Sequence, residues 1–363
     1  MSKLGVSVYP ERSTFEKDAA YLDLAAKYGY QRVFTSLLEI KGDKDEVVAN
    51  FKKVITYANK LGLQVMVDVN PGLFKQLGVS YDDLSFFHNL GAWGVRLDLG
   101  FTGQEEARMT HNEYGIKIEV NMSKGTHYVD TIMDFYPEKD NLLGSHNFYP
   151  QQYTGLGYNY FVETSQQYRH YCINTAAFVS SNDATYGPWP MQDGLCTLED
   201  HRGLPIATQV QHLKMTGLID DVLIGNAYAS EAELKAASEV FFSPLPLLHV
   251  ETPADLSDAE KAALFNQSQT YRGDCSDYVI RSSQTRVIYK DEAFPAHHTD
   301  DVHVGDVLID NDQYGQYKGE TQIALRDFKN TGRINVVGHI PAEEHPIMGL
   351  LVPWMDFKFL PAN

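Results

Sequence analysis

The chain is short of cysteine, of positive charge and of long apolar runs, and each shortage closes off a class of protein. Cysteine occurs three times in 363 residues, at Cys172, Cys196 and Cys275. None forms a CxxC pair, so neither a disulfide framework nor a structural zinc site is expected, and the sparse, odd count suits a reducing compartment. Thirty Lys and Arg face 48 Asp and Glu, a formal charge of −18. The basic residues are scattered singly or in pairs, as at Lys52 and Lys53. Such a surface repels a phosphate backbone, which argues against nucleic acid as a partner. No apolar run approaches the ~20 residues that span a bilayer, and the opening segment through Tyr9 reads as a strand rather than a secretory signal. A cytoplasmic protein with no membrane partner is expected. No P-loop, GxSxG or GxGxxG is present, and no cofactor is implied.

What is present is a rhythm. Short β-like runs recur at Leu4–Tyr9, Gln31–Leu37, Leu63–Asn70, Trp93–Leu99, Ile116–Met122, Leu142–Phe148, Ala176–Ser180 and Val222–Asn226. Amphipathic helical stretches lie between several of them, notably Phe15–Tyr28, Glu46–Leu61, Tyr158–Ala176 and Ile206–Met215. Strand–helix alternation at about thirty residues per unit marks successive right-handed crossovers. Eight such units predict a (β/α)8 TIM barrel. A doubly wound open sheet is the competing fold, but the first strand runs into Tyr9-Pro10-Glu11-Arg12 without a glycine-rich turn.

The pattern changes at Ser243-Pro244-Leu245-Pro246, which a helix does not cross easily. The expected division is a barrel domain over 1–243 and a small β-domain over 244–363. In the second, one helix (Asp258–Asn266) is expected among β-runs at Val279–Ser282, Thr285–Ile288, Val307–Ile309, Gln322–Leu325, Ile334–Ile340 and Gly349–Val352.

Barrel chemistry sits where strands end. Alternation places Asp68 with Asn70, Arg96 with Asp98, and Glu119 with Asn121 on common faces, opposite apolar neighbours that suit the helix layer. Arg96 with Asp98 or Asp68 also reads as a structural ion pair. Several adjacent strands ending in carboxylates and amides suit glycoside hydrolysis, in which one carboxyl protonates the leaving oxygen while another attacks or activates water. Asp98 and Glu119 are the expected catalytic pair, with Asp68 next. Asn121, His146, Tyr149 and Glu199 are expected to bind substrate. Arg202 lies in a long seventh crossover, which is rich in aromatic residues and proline (Tyr186, Pro188, Trp189, Pro190) and reads as a binding lid. It is either an anion fork or a solvated arginine. Arg281, at the end of a second-domain β-run, is a further candidate for a phosphate clamp shared between the domains. The run His297, His298, Asp300, Asp301 and His303 reads as a solvated loop, so no metal site is expected.

Five segments resemble one bacterial family. They are Leu4-Gly5-Val6-Ser7-Val8-Tyr9-Pro10-Glu11, Gly94-Val95-Arg96-Leu97-Asp98-Leu99-Gly100-Phe101, Asn121-Met122-Ser123, His146-Asn147-Phe148-Tyr149-Pro150 and the stretch from Gly194 to Arg202. The family is the 6-phospho-N-acetylmuramidases, long catalogued as "outer surface proteins". The resemblance implies a TIM barrel followed by a cyclophilin-like domain. It also implies hydrolysis of the β-1,4 bond of N-acetylmuramic acid 6-phosphate–N-acetylglucosamine during cell-wall recycling, making a phosphorylated amino-sugar disaccharide the expected partner. Two other readings stand beside it. One is a barrel aldolase or isomerase for a sugar phosphate, with Lys117 as the in-strand amine. The other is a carbohydrate-binding protein without catalysis.

Overall fold

The computed structural model describes residues 2–37, 43–188, 190, 191 and 193–362. Trp189 of the expected lid lies outside them. Eight strands form a closed parallel barrel: β1 (Leu4–Ser7), β2 (Arg32–Ser36), β3 (Gln64–Val69), β4 (Gly94–Leu97), β5 (Lys117–Asn121), β6 (Leu142–Ser145), β7 (Asn174–Val179) and β8 (Asp221–Ile224). Each strand pairs in parallel with the next, and β1 pairs with β8 to close the ring. Strands covered on both faces must be apolar where they meet the helices. Accordingly Val65, Val67, Val95, Leu97, Ile118 and Val120 are all buried. The opposite parity carries the polar side chains.

The helices form for local reasons. Lys44–Lys60 begins at Asp43, whose carboxylate accepts from the backbone N–H groups of Asp45 and Glu46 at 2.9 and 3.0 Å. It buries Phe51, Val54, Ile55 and Ala58 along one stripe. Just beyond its end, Gly62 takes φ 79°, a left-handed conformation that favours glycine. The run Tyr158–Ala176 divides into a helix, Tyr158–His170, and the beginning of β7. Strand β6 stops at Ser145, so His146 to Pro150 is loop.

Two compact units result, Met1–Phe241 and Phe242–Asn363. The second is a small β-domain. It holds a three-stranded sheet in the order β10-β15-β9, made of β9 (Leu247–Val250), β10 (Gln269–Thr270) and β15 (Asp356–Pro361). A four-stranded sheet, β11-β13-β12-β14, is built from β11 (Val279–Ser282), β12 (Asp306–Asp310), β13 (Thr321–Ala324) and β14 (Ile334–His339). Val302, Leu308, Ala324 and Ile334 form a core on that sheet.

Two expected strands are corrected. Thr285–Ile288 lies in a helix, Gln284–Ile288, where the hydroxyl oxygen of buried Thr285 accepts from the Thr321 backbone N–H at 3.0 Å. That tertiary contact overrides the β-branched composition. Gly349–Val352 follows the short helix His345–Met348 and forms no strand. Strands β9, β10 and β15 were not expected; β15 pairs with partners roughly ninety and more residues earlier, a relation no local pattern displays.

Candidate active site

The polar parity of the barrel strands converges on Arg96. Its Nε donates to Ser145 Oγ at 2.7 Å and its Nη1 to Asp68 Oδ1 at 2.8 Å; Nη2 donates to Asn147 Oδ1. The same Nη1 lies 3.6 Å from Asp98 Oδ1. Parallel register explains the grouping: Asp68, Arg96 and Glu119 stand level on β3, β4 and β5, and Asp98 lies two residues nearer the mouth.

Asp68 and Arg96 are buried, whereas the Asp98 side chain keeps 33% of its surface. Burial pushes the Asp68 carboxyl up to about 7; Arg96 pulls it down, and the charges of Asp98 and Glu119 add to the rise. A cavity of about 190 Å³ opens over these groups, lined by Ser36, Asp68, Arg96, Asp98, Asn147, Phe148 and Pro188. Phe148 stands edge-on to Phe34 and Phe178, with ring centroids 6.0 and 5.1 Å away, giving one apolar wall.

Glu119 also faces the interior, but it is 1% exposed and does not line this cavity. Its Oε2 accepts from Arg32 Nη2 at 2.6 Å, and Arg32 Nη1 donates to Asp221 Oδ2 at 2.9 Å. Buried charges of alternating sign thus run from Asp221 through Arg32 and Glu119 to Arg96. Asp68 and Asp98 share Arg96 Nη1 and line the cavity together, whereas Glu119 Oε1 lies 3.9 Å from Arg96 Nε and lines none of it.

His146 is buried and hydrogen-bonds through both ring nitrogens, Nδ1 to Ser123 Oγ at 3.1 Å and Nε2 to Ser165 Oγ at 2.8 Å. Burial, with Arg96 nearby, pushes its pKa down to about 3 and keeps it neutral. Ser123 Oγ also accepts from the Asn147 N–H at 3.0 Å, so His146 braces a cavity residue. Asn121 donates to the Asp98 carbonyl at 3.3 Å and accepts from the Ser123 N–H at 2.8 Å. Half-buried Tyr149 has its phenol pKa raised by burial.

Glu199 and Arg202 are bonded to each other. Arg202 Nε and Nη2 donate to the two Glu199 oxygens at 2.7 and 2.8 Å. Its remaining contacts are to the carbonyls of Asp193 at 2.5 Å, Gly194 at 3.5 Å, Tyr149 at 3.0 Å and Gln151 at 3.3 Å. In the second unit, Arg281 Nε donates to buried Glu320 Oε1 at 2.5 Å. The histidine-rich run is divided among separate carboxylates: His297 bonds Glu260 at 2.7 Å and His298 bonds Asp255 at 3.0 Å. Among the described residues no three His, Cys, Asp or Glu side chains gather as a metal site. Lys117 begins β5, at the end away from the cavity, with Nζ on the Asp140 carbonyl and Asn141 Oδ1 at 2.9 and 2.8 Å. It is not placed to form a Schiff base there.

Sequence reasoning passed over Ser36, Asn147, Phe148 and Arg32. Ser36 and Asn147 carry no charge to single them out, although each stands at or just past a strand end. Arg32 shares the parity of Phe34 and Ser36, and that alternation would have turned it inward.

A closed parallel barrel places side chains at its strand ends where the active sites of barrel enzymes lie, and here those side chains are carboxylates, an arginine and amides. Family comparison narrows the class: residues 4–239 match the 6-phospho-N-acetylmuramidase N-terminal domain, and residues 246–360 match the C-terminal domain. The chain belongs to the 6-phospho-N-acetylmuramidase family. Among solved structures, an uncharacterized protein from B. cereus is 43% identical, with a TM-score of 0.91 and 99% of both chains covered. A conserved protein of unknown function from Enterococcus faecalis is 26% identical, with a TM-score of 0.78, over 100% of this chain and 97% of that one. No curated protein gives a significant match. Among the described residues no helix is long and apolar enough to cross a membrane.

Proposed function

We propose that the protein hydrolyses the β-1,4 bond between N-acetylmuramic acid 6-phosphate and N-acetylglucosamine, in the cytoplasm, during recycling of cell-wall fragments. The observation that carries the catalytic reading is the pairing of Asp68 and Asp98 on one nitrogen of Arg96. Asp68, buried and titrating near 7, is the general acid for the leaving glycosidic oxygen. Asp98, more open to the cavity, acts on the anomeric side, assisting water or orienting the substrate's own acetamido group. Arg96 fixes both carboxyls, and Ser145 and Asn147 fix Arg96. Glu119 acts on this pair through the buried charge chain rather than by touching substrate. Family membership supports the choice of sugar.

The test is an activity panel of phosphorylated and unphosphorylated muramyl and glucosaminyl glycosides. Turnover of the phosphorylated muramyl disaccharide, with little on its unphosphorylated counterpart, is expected. Turnover of none of them would overturn the reading and favour a binding role.

A further inference from the structure

The loop after β6 opens with the cavity-lining pair Asn147 and Phe148, and five residues later it presents Tyr153 to solvent. Tyr153 is 88% exposed, yet its backbone is tightly held. It adopts φ 67°, a left-handed conformation unfavourable for a residue with a bulky side chain. Its N–H donates to Glu199 Oε1 at 2.7 Å, and the N–H of Gly155 donates to Glu199 Oε2 at 2.8 Å. The hydrogen bonds from Arg202 hold the Glu199 carboxyl down to about 2 and fix it in place. Two further bonds, Leu156 N–H to the Thr197 carbonyl at 2.9 Å and Glu199 N–H to the Leu156 carbonyl at 3.0 Å, tie the loop to its neighbour. Gly155 permits the approach: a Cβ there would lie 2.6 Å from Glu199 Oε2 and 2.8 Å from the Glu199 nitrogen.

So much anchoring does nothing to bury the ring it positions. Local strain held by surrounding structure points to a functional demand on the strained residue. The cavity supplies that demand. Pockets that enclose a drug-sized ligand begin near ~300 Å³; at about 190 Å³ this cavity is too small to enclose a whole disaccharide, so part of one would lie outside it.

We propose that Tyr153 is a stacking platform for the sugar ring that extends out of the cavity, and that the Glu199–Arg202 pair is the positioning device that holds it there. A pyranose has an apolar C–H face, and an aromatic ring with its edges in water offers that face a flat partner. Glu199 and Arg202 therefore contribute to substrate binding through the loop. This inference rests on the glycosidase reading, and its experiment separates the two.

The experiment compares wild type, Tyr153→Ala, Tyr153→Phe and Tyr153→Trp on the disaccharide and on the methyl glycoside of N-acetylmuramic acid 6-phosphate, which lacks the second ring. Tyr153→Ala should raise KM for the disaccharide about tenfold, with kcat changed little, and leave the methyl glycoside unaffected. Phe and Trp should retain wild-type KM. Glu199→Gln should produce the same KM-selective loss on the disaccharide, and combining it with Tyr153→Ala should add almost nothing. Separately, the Tyr153→Trp, Asp98→Asn protein is titrated with the intact disaccharide and followed by tryptophan emission. A saturable change in that variant, together with a wild-type protein that hydrolyses neither glycoside, keeps the platform and overturns the glycosidase assignment. Hydrolysis with the same KM in wild type and Tyr153→Ala, or an equal loss on both glycosides, overturns the platform. So does loss of a self-association in Tyr153→Ala with sugar affinity intact, which would make Tyr153 a contact between copies.

Discussion

Glu119 Oε2 lies 2.6 Å from Arg32 Nη2, a contact that ties Glu119 into the closed interior below the cavity while its other oxygen stays 3.9 Å from Arg96. Both side chains are essentially without solvent exposure, and Asp221 completes the set from the other side of Arg32 at 2.9 Å. Burying charges in this way is tolerable only while every member is paired.

Glu119→Gln is therefore expected to act first on stability. Removing one partner of a buried pair costs about 3–5 kcal/mol, and Gln preserves the shape while deleting the charge. The measurement is denaturant unfolding of the variant beside kcat per folded molecule. A stable variant whose kcat falls a hundredfold would instead make Glu119 a group that touches substrate.

Asp68→Asn and Asp98→Asn should each lower kcat by at least ~10²-fold, the scale of general acid–base groups. Steady-state kinetics on the phosphorylated disaccharide decide it. Near-wild-type turnover in either variant removes that residue from the chemistry.

The raised pKa of Asp68 sets a pH dependence with a definite sign. Its proton is lost as pH rises through about 7, so activity that needs Asp68 as an acid should decline on the alkaline side of that value. Stability follows the same direction. The unfolded carboxyl titrates near ~3.9, so the stabilisation from keeping Asp68 protonated is fully present below that pH and is lost as pH rises through about 7. Unfolding curves across this window should slope less for Asp68→Asn than for wild type. Parallel curves would show that Asp68 does not carry the titration.

Much of the barrel was legible because its information is local. Alternation in β3, β4 and β5 put Asp68, Arg96, Asp98 and Glu119 inward, and the observed contacts among them require that orientation. What alternation does not encode is depth. Asp98 and Glu119 look equivalent along the chain, yet only Asp98 reaches the cavity, because Arg32 on β2 draws Glu119 into the closed interior. Glu199 and Arg202 illustrate the same limit. Their residue types suggested ligand contacts, whereas their partners are each other and the backbone of a loop some fifty residues earlier. In the second unit, β15 could be recognised only through the two strands that flank it.

Chelation should not affect turnover. The carboxylates at the barrel centre are engaged by arginines, and acid–base hydrolysis of a glycoside needs no metal ion. Assays with and without EDTA are the check. Activity abolished by EDTA and restored by a divalent cation would revive the sugar-phosphate isomerase reading.

Selection of a phosphorylated sugar by a chain of charge −18 must depend on fixed short-range donors, because long-range attraction is lacking. Arg202 and Arg281 were the two candidates, and their surroundings now differ. The Arg202 contacts run to Glu199 and to four backbone carbonyls, an arrangement that shapes loops. Arg281, on the second unit, has one nitrogen on Glu320 and another 3.9 Å from Asp274. Arg202→Ala should therefore weaken phosphorylated and unphosphorylated forms of the same disaccharide equally, since it disturbs a platform common to both. The measurement is kcat/KM of wild type and Arg202→Ala on both forms. A loss confined to the phosphorylated form would make Arg202 the anion fork despite its internal bonds.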